Sequence, residues 1–214
     1  MKKAVIFDMD GLMIDSERVT YEEYCRKLTQ LGYSFDESIY RNCLGKNKKG
    51  VFEVLINKFG HEFPIDKVWD DVHVALDNRL NEEIPLKQGI VKLLIFLKEK
   101  GYKTIVATSS ARVRADIILK KGNIYGYFDD LICGDEVTCG KPHPEIFLTA
   151  CQKLGVNPDE ALVLEDSEAG IMAAHAANID VICIPDMKYP DKEFADKTTK
   201  IFNSLIDVIE YLNY

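Results

Sequence analysis

The sequence predicts an α/β protein: a parallel sheet covered by helices on both faces, with a separate group of helices inserted after the first strand. Three observations carry this. Short apolar runs ending in turn formers alternate with amphipathic helical stretches along most of the chain. Strands that are apolar throughout belong to sheets buried on both faces. The stretch from Glu17 to about Leu80 contains helical stripes and no strand run. At 214 residues and 47% hydrophobic, the chain is long enough for one core and a smaller insert.

The elements follow in order. The first strand is expected over 3–8, where the apolar run 4–7 meets Asp8-Met9-Asp10-Gly11 and stops at an acidic turn. Tyr21, Tyr24, Cys25, Leu28 and Leu31 form a helical stripe ending at Gly32. Residues 37–44 form a short helix. Val51, Val54, Leu55 and Phe59 mark a third helix ending at Gly60, and Val68, Val72, Ala75, Leu76 and Leu80 a fourth. Pro85 and Gly89 mark the return to the sheet. Further strands are expected at 103–108, 130–133, 161–165, 180–184 and 199–202. Helices are expected at 90–100, 111–121, 144–154, 169–177 and 204–212. In the third of these, Phe147, Ala150, Cys151 and Leu154 share one face, with Pro144 to open the helix and Gly155 to cap it. The expected organisation is a three-layer, Rossmann-like core over 1–15 and 84–214, and a helical bundle over 16–83.

The polar residues at the strand ends carry the chemistry. Open α/β sheets place their ligand sites at the carboxyl ends of strands. Here those ends present Asp8 and Asp10, then Thr108-Ser109-Ser110, then Glu165-Asp166. Lys141 sits between turn formers in Gly140-Lys141-Pro142-His143-Pro144, ahead of a helix. Each has an ordinary structural reading. Asp8 and Asp10 can mark a strand that stops at an Asp-rich turn, Lys141 can be a solvated turn lysine, Thr108 or Ser109 a helix cap, and Glu165-Asp166 an acid pair at a helix start. Four such coincidences at ordered strand ends favour a site.

In this order and spacing, Asp8-Met9-Asp10-Gly11, Thr108, Lys141 and Glu165-Asp166 resemble the four motifs of the haloacid dehalogenase superfamily. The similarity is to its phosphatase/beta-phosphoglucomutase-like branch, whose members carry a helical cap after the first motif. The resemblance implies that 16–83 is that cap, a lid over the catalytic strand ends. The separation of Thr108 and Lys141 leaves room for one helix and one strand, so a second cap is not expected. The resemblance also implies a Mg2+ ion held by the Asp8 side chain, the Asp10 carbonyl and Asp166, with Glu165 binding directly or through water. Asp8 would be the nucleophile and Asp10 the acid and base. Lys141, Thr108, Ser109 and Ser110 would bind the phosphoryl group, with Lys141 also serving catalysis.

Asp10 favours phosphoryl transfer, since dehalogenating relatives lack this second aspartate. Mutases of the branch carry a histidine in the first cap helix, where this chain has Thr20, and a cap-loop arginine, where it has Gly45-Lys46-Asn47-Lys48-Lys49-Gly50. The expected activity is therefore Mg2+-dependent hydrolysis of a small phosphorylated metabolite. A beta-phosphoglucomutase-type mutase is the alternative, and Lys48, with Lys46 and Lys49, is the candidate for a distal anion. A phospho-acceptor receiver module would need neither the insert nor Asp10. A net charge of −8 argues against nucleic-acid partners. No apolar stretch approaches the roughly 20 residues that span a membrane. The six cysteines show no C-x-x-C pair, and the four histidines no metal spacing. Reduced thiols and the lack of a secretory h-region after Met1-Lys2-Lys3 point to a cytoplasmic protein, expected to be a monomer.

Overall fold

The computed structural model describes residues 2–44 and 46–213. Met1, Tyr214 and Gly45 of the lysine-bearing loop lie outside them. The elements run β1 (Ala4–Phe7), α1 (Ser16–Gln30), α2 (Glu37–Arg41), α3 (Lys48–Phe59), α4 (Ile65–Glu82), α5 (Ile90–Glu99), β2 (Lys103–Thr108), α6 (Arg112–Lys121), β3 (Asp130–Cys133), α7 (Glu145–Leu154), β4 (Ala161–Glu165), α8 (Glu168–Ala176), β5 (Asp180–Cys183), α9 (Lys192–Ala195), β6 (Lys200–Ile201) and α10 (Leu205–Leu212). They divide into two compact units, one of Met1–Asp15 with Ile84–Tyr214 and one of Ser16–Glu83.

The first unit holds a six-stranded sheet in the order β3-β2-β1-β4-β5-β6. Every pairing is parallel. β1 is central because all four of its residues are apolar and fully buried. Ala4 and Ile6 face a cluster built with Ile105, Ala107 and Val163 of the neighbouring strands and with α7 and α8. Phe147, Ala150 and Cys151 of α7 lie in that cluster, on the face their spacing predicts. Val5 and Phe7 alternate to the other side of the sheet. The α5 residues Leu93, Leu94 and Leu97 are buried, and that helix packs with β2 and α10. Strand order reverses beside β1: β2 and β3 lie on one side, β4 to β6 on the other. The carboxyl ends of β1, β2 and β4 therefore border the switch point.

Expected and observed elements differ chiefly at their ends. The strand expected over 199–202 keeps two residues, and the segment between Thr108 and Lys141 carries two single-turn 3-10 helices besides α6 and β3. The short helix α9 has no apolar periodicity and was not expected.

The second unit contains α1 to α4. Leu28, Leu55, Val68 and Val72 form its buried interior. Rings of Tyr21, Tyr24, Phe35 and Tyr40 pack at centroid separations of 5.4 to 6.3 Å. Arg79 of α4 pairs with Glu22 and Glu23 of α1. Asn47 caps α3 by accepting the Gly50 N–H at 3.0 Å. Leu31 is a correction to the expected buried stripe: it is 39% exposed. α1 ends at Gln30 and Gly32 turns the chain at φ +81°, so Leu31 lies past the helix and leaves its face.

Candidate active site

Lys141 ties the strand ends together. Its Nζ donates to Asp8 Oδ1 at 2.5 Å and to Glu165 Oε1 at 2.6 Å. The lysine side chain is 5% exposed and Glu165 is fully buried, so this is an interior ion triplet, with Asp8 at the end of β1 and Glu165 at the end of β4. Lys141 Nζ also sits 4.9 Å from the centroid of the Phe147 ring, on the first turn of α7. The bland reading of Lys141 as a solvated turn residue therefore fails.

The other oxygen of Glu165 is equally engaged. Oε2 accepts the N–H groups of Asp166 and Ser167 at 2.9 and 2.8 Å and the Ser167 hydroxyl at 2.8 Å. Ser167 also caps α8, accepting the Gly170 N–H at 3.1 Å. Two glycines make room for these acids. A Cβ at Gly170 would fall 1.8 Å from Glu165 Oε1. Gly11 has φ +85°, and a Cβ there would fall 2.1 Å from Asp166 Oδ2.

Asp8, Glu165 and Asp166 each offer a carboxylate oxygen within 4.8 Å of the others. Burial pushes the Asp8 carboxyl up to about 7, with Lys141 opposing the rise and Glu165 adding to it. Loss of water and the nearby Glu165 and Asp8 charges push Asp166 well above the ordinary carboxylate range. Desolvation pulls Lys141 down, but Asp8 and Glu165 together leave it above its usual value. One ammonium thus serves three crowded carboxylates. An all-oxygen donor set with surplus negative charge suits a hard divalent cation such as Mg2+.

Asp10 is held by a different cation. Its carboxylate takes a two-pronged ion pair from Arg114 of α6, at 2.7 Å on Oδ2 and 2.9 Å on Oδ1. The Ser110 hydroxyl donates to the same Oδ2 at 2.8 Å and lies 2.6 Å from the Arg114 guanidinium. Sequence reasoning assigned Ser110 to a phosphoryl group; here its hydroxyl serves Asp10. Arg114 was missed altogether. The Thr108 hydroxyl is buried at the end of β2 and accepts the Ser110 N–H at 3.1 Å, while Ser109 is exposed beside it. Lys48 lies in the helical unit, with its ammonium 5.2 Å from the Phe52 ring and 5.5 Å from the Trp69 ring.

A parallel α/β sheet with acids, a buried lysine and hydroxyls gathered at its switch point defines a candidate catalytic core of the α/β class. Residues 5–184 match the haloacid dehalogenase-like hydrolase model, and the chain belongs to that family. It is 32% identical to a phosphorylated carbohydrates phosphatase of Thermotoga maritima over 180 residues, covering 84% of this chain and 83% of the relative. It is 31% identical to validoxylamine A 7'-phosphate phosphatase of Streptomyces hygroscopicus, covering 97% and 96%. Among solved structures, a candidate beta-phosphoglucomutase from Thermotoga maritima superposes with TM-score 0.81 at 28% identity, covering 100% of this chain and 99% of that one. Family membership sets aside the receiver-module reading. Among the described residues no helix is long and apolar enough to cross a membrane.

Proposed function

We propose that this chain is a Mg2+-dependent phosphatase of small phosphate monoesters, acting as a cytoplasmic monomer through an aspartyl-phosphate on Asp8. The observation that carries the reading is the buried Lys141, bonded at once to Asp8 and Glu165 beside Asp166. The Asp8 and Asp166 carboxylates and the Asp10 carbonyl would hold the metal. Glu165 would act behind them or through water, since both its oxygens are already engaged within the protein. Bound Mg2+ supplies positive charge that lets an anionic nucleophile approach a dianionic ester.

Asp8 attacks phosphorus while Asp10, once it has taken up a proton and loosened its ion pair with Arg114, gives that proton to the leaving oxygen. Asp10 then takes a proton from the water that attacks the aspartyl-phosphate, and phosphate leaves with Asp8 restored. Lys141, the Thr108 hydroxyl and the Ser109 N–H hold the phosphoryl oxygens. The helical unit over 16–83 serves as the cap that selects the ester. Similarity to the two phosphatases above supports phosphorylated sugars and related metabolites as the substrate class.

The likeness to a candidate mutase keeps isomerisation as a second reading. Against it, position 20 is a threonine whose hydroxyl donates to the Ser16 carbonyl at 2.8 Å, so it offers no cationic group to a second phosphate. The test is a panel of phosphorylated metabolites with Mg2+ or with EDTA, followed by phosphorus NMR. Mg2+-dependent release of inorganic phosphate is expected, with little interconversion of β-glucose 1-phosphate and glucose 6-phosphate even when primed with the bisphosphate. Isomerisation outrunning phosphate release would reverse the assignment and make Lys46, Lys48 and Lys49 the first distal-phosphate candidates.

Two further outcomes follow from Asp10 and its holder. Asp10→Asn is expected to slow turnover about a hundredfold or more while keeping Mg2+ affinity, because the carbonyl remains. Arg114→Ala frees the Asp10 carboxylate from its fixed position. It is expected to lower kcat roughly tenfold, about 1.4 kcal/mol, with KM little changed. A full kcat with only a lower melting temperature would make Arg114 a packing residue.

A further inference from the structure

The segment that carries Lys141 also gathers a second donor set, unlike the first in chemistry. Cys139, His143 and Glu145 each present a ligand atom within 4.8 Å of the other two. The set mixes sulfur, nitrogen and oxygen, which favours a borderline-soft cation over the hard Mg2+ suited to Asp8, Glu165 and Asp166. We propose that Cys139, His143 and Glu145 form a binding site for a thiophilic divalent cation, Zn2+ by preference.

Three features of the site support this. Cys139 is the one exposed cysteine of the six, whereas Cys43, Cys133, Cys151 and Cys183 are buried and Cys25 is half-buried. A packing role accounts for the buried thiols and does not account for this one. The Glu145 carboxylate is fixed in place: Oε1 accepts the Thr138 N–H at 2.7 Å and Oε2 the Cys139 N–H at 2.9 Å. Each of its oxygens accepts one backbone N–H and keeps a lone pair for a metal. His143 Nδ1 accepts the Glu145 N–H at a long 3.3 Å and lies 3.9 Å from Glu145 Oε2, a weak bond that a metal can displace.

The start of α7 works against a cation, since Glu145 is its first residue and a helix N-terminus is partially positive. The carboxylate and the thiolate, whose proton is released on binding, bring two full negative charges against that half charge. With three protein ligands, the remaining position falls to water. A cation there would bridge residues on both sides of Lys141, Cys139 two positions before it and His143 and Glu145 two and four after, without taking a ligand from the Asp8 cluster.

Cobalt titration of the whole protein, with Mg2+ in excess to fill the carboxylate cluster, tests this independently of the phosphatase reading. Co2+ is expected to give a thiolate-to-metal absorption band that saturates at one equivalent and is abolished by Zn2+. Cys139→Ser should remove the band while leaving circular dichroism and Mg2+-dependent phosphatase activity intact. His143→Gln should weaken Co2+ binding about tenfold or more. A titration without the band, or a band that survives in Cys139→Ser, would overturn the site. Because Cys139 is exposed and serine close in shape, that variant decides the matter even if His143→Gln misfolds.

Discussion

Replacing Asp8 by asparagine is expected to lower phosphatase turnover at least about a thousandfold, a loss of about 4 kcal/mol in transition-state stabilisation. The amide keeps the shape at the end of β1 but cannot attack phosphorus. The same change removes a charge from a crowded place. Asp8 is held up at about 7 by burial, with Lys141 only partly offsetting it. A neutral isostere still leaves Lys141 bonded to Glu165. The variant should therefore fold, and in EDTA its melting temperature should match or exceed that of the parent. Thermal melts beside steady-state kinetics separate the two effects: an unfolded variant would explain inactivity trivially, and a folded variant with substantial turnover would remove Asp8 from the chemistry.

Lys141→Met is expected to damage both activity and stability. Activity should fall by about a thousandfold, because the phosphoryl oxygens and the nucleophile lose their shared cation. Stability should fall by about 3 kcal/mol or more, since breaking a buried ion pair leaves its partner charges uncompensated. The cost should depend on pH. In the parent, the Asp8 pKa is raised on folding, so its contribution is fully present below the unfolded value near 4 and is lost as pH rises through about 7. Removing Lys141 takes away the group that holds this pKa down, and folding then favours the protonated acid still more strongly. Denaturant melts in EDTA should show a small deficit at acidic pH that grows toward pH 8. A deficit independent of pH would mean that Lys141 stabilises by packing on Phe147 rather than by charge.

The sheet was legible because its strands are apolar almost without interruption and each ends in a polar pair or a turn. Asp8, Thr108 and Glu165 announced strand ends in that way. The limits are equally physical. Arg114 is an ordinary charged residue on a helix with no strong periodicity, and its partner Asp10 lies 104 positions away. No local pattern couples them; only the parallel pairing of β1 with β2 brings α6 to the Asp10 turn. The Ser110 hydroxyl followed the same unseen arginine. Gly170 reads in sequence as a mildly unfavourable helix residue, and its reason appears only with the Glu165 carboxylate in place. Leu31 went wrong because the helical stripe was extended one residue beyond its capping turn. Cys139 and His143 showed no metal spacing because the turn at Gly140–Pro144, rather than a helix or hairpin, brings their donors together.

If Asp8 carries the phosphoryl group, acid quenching of the Mg2+-loaded enzyme during turnover of a sugar phosphate, followed by mass spectrometry of the peptide that contains Asp8, captures it. Asp10→Asn serves as a second sample in which hydrolysis of the intermediate is slowed. A single phosphoryl group is expected on Asp8, absent with EDTA and absent in Asp8→Asn. Sustained release of phosphate with no phosphoryl group on Asp8 in either sample, or release undiminished by EDTA, would contradict that role for Asp8.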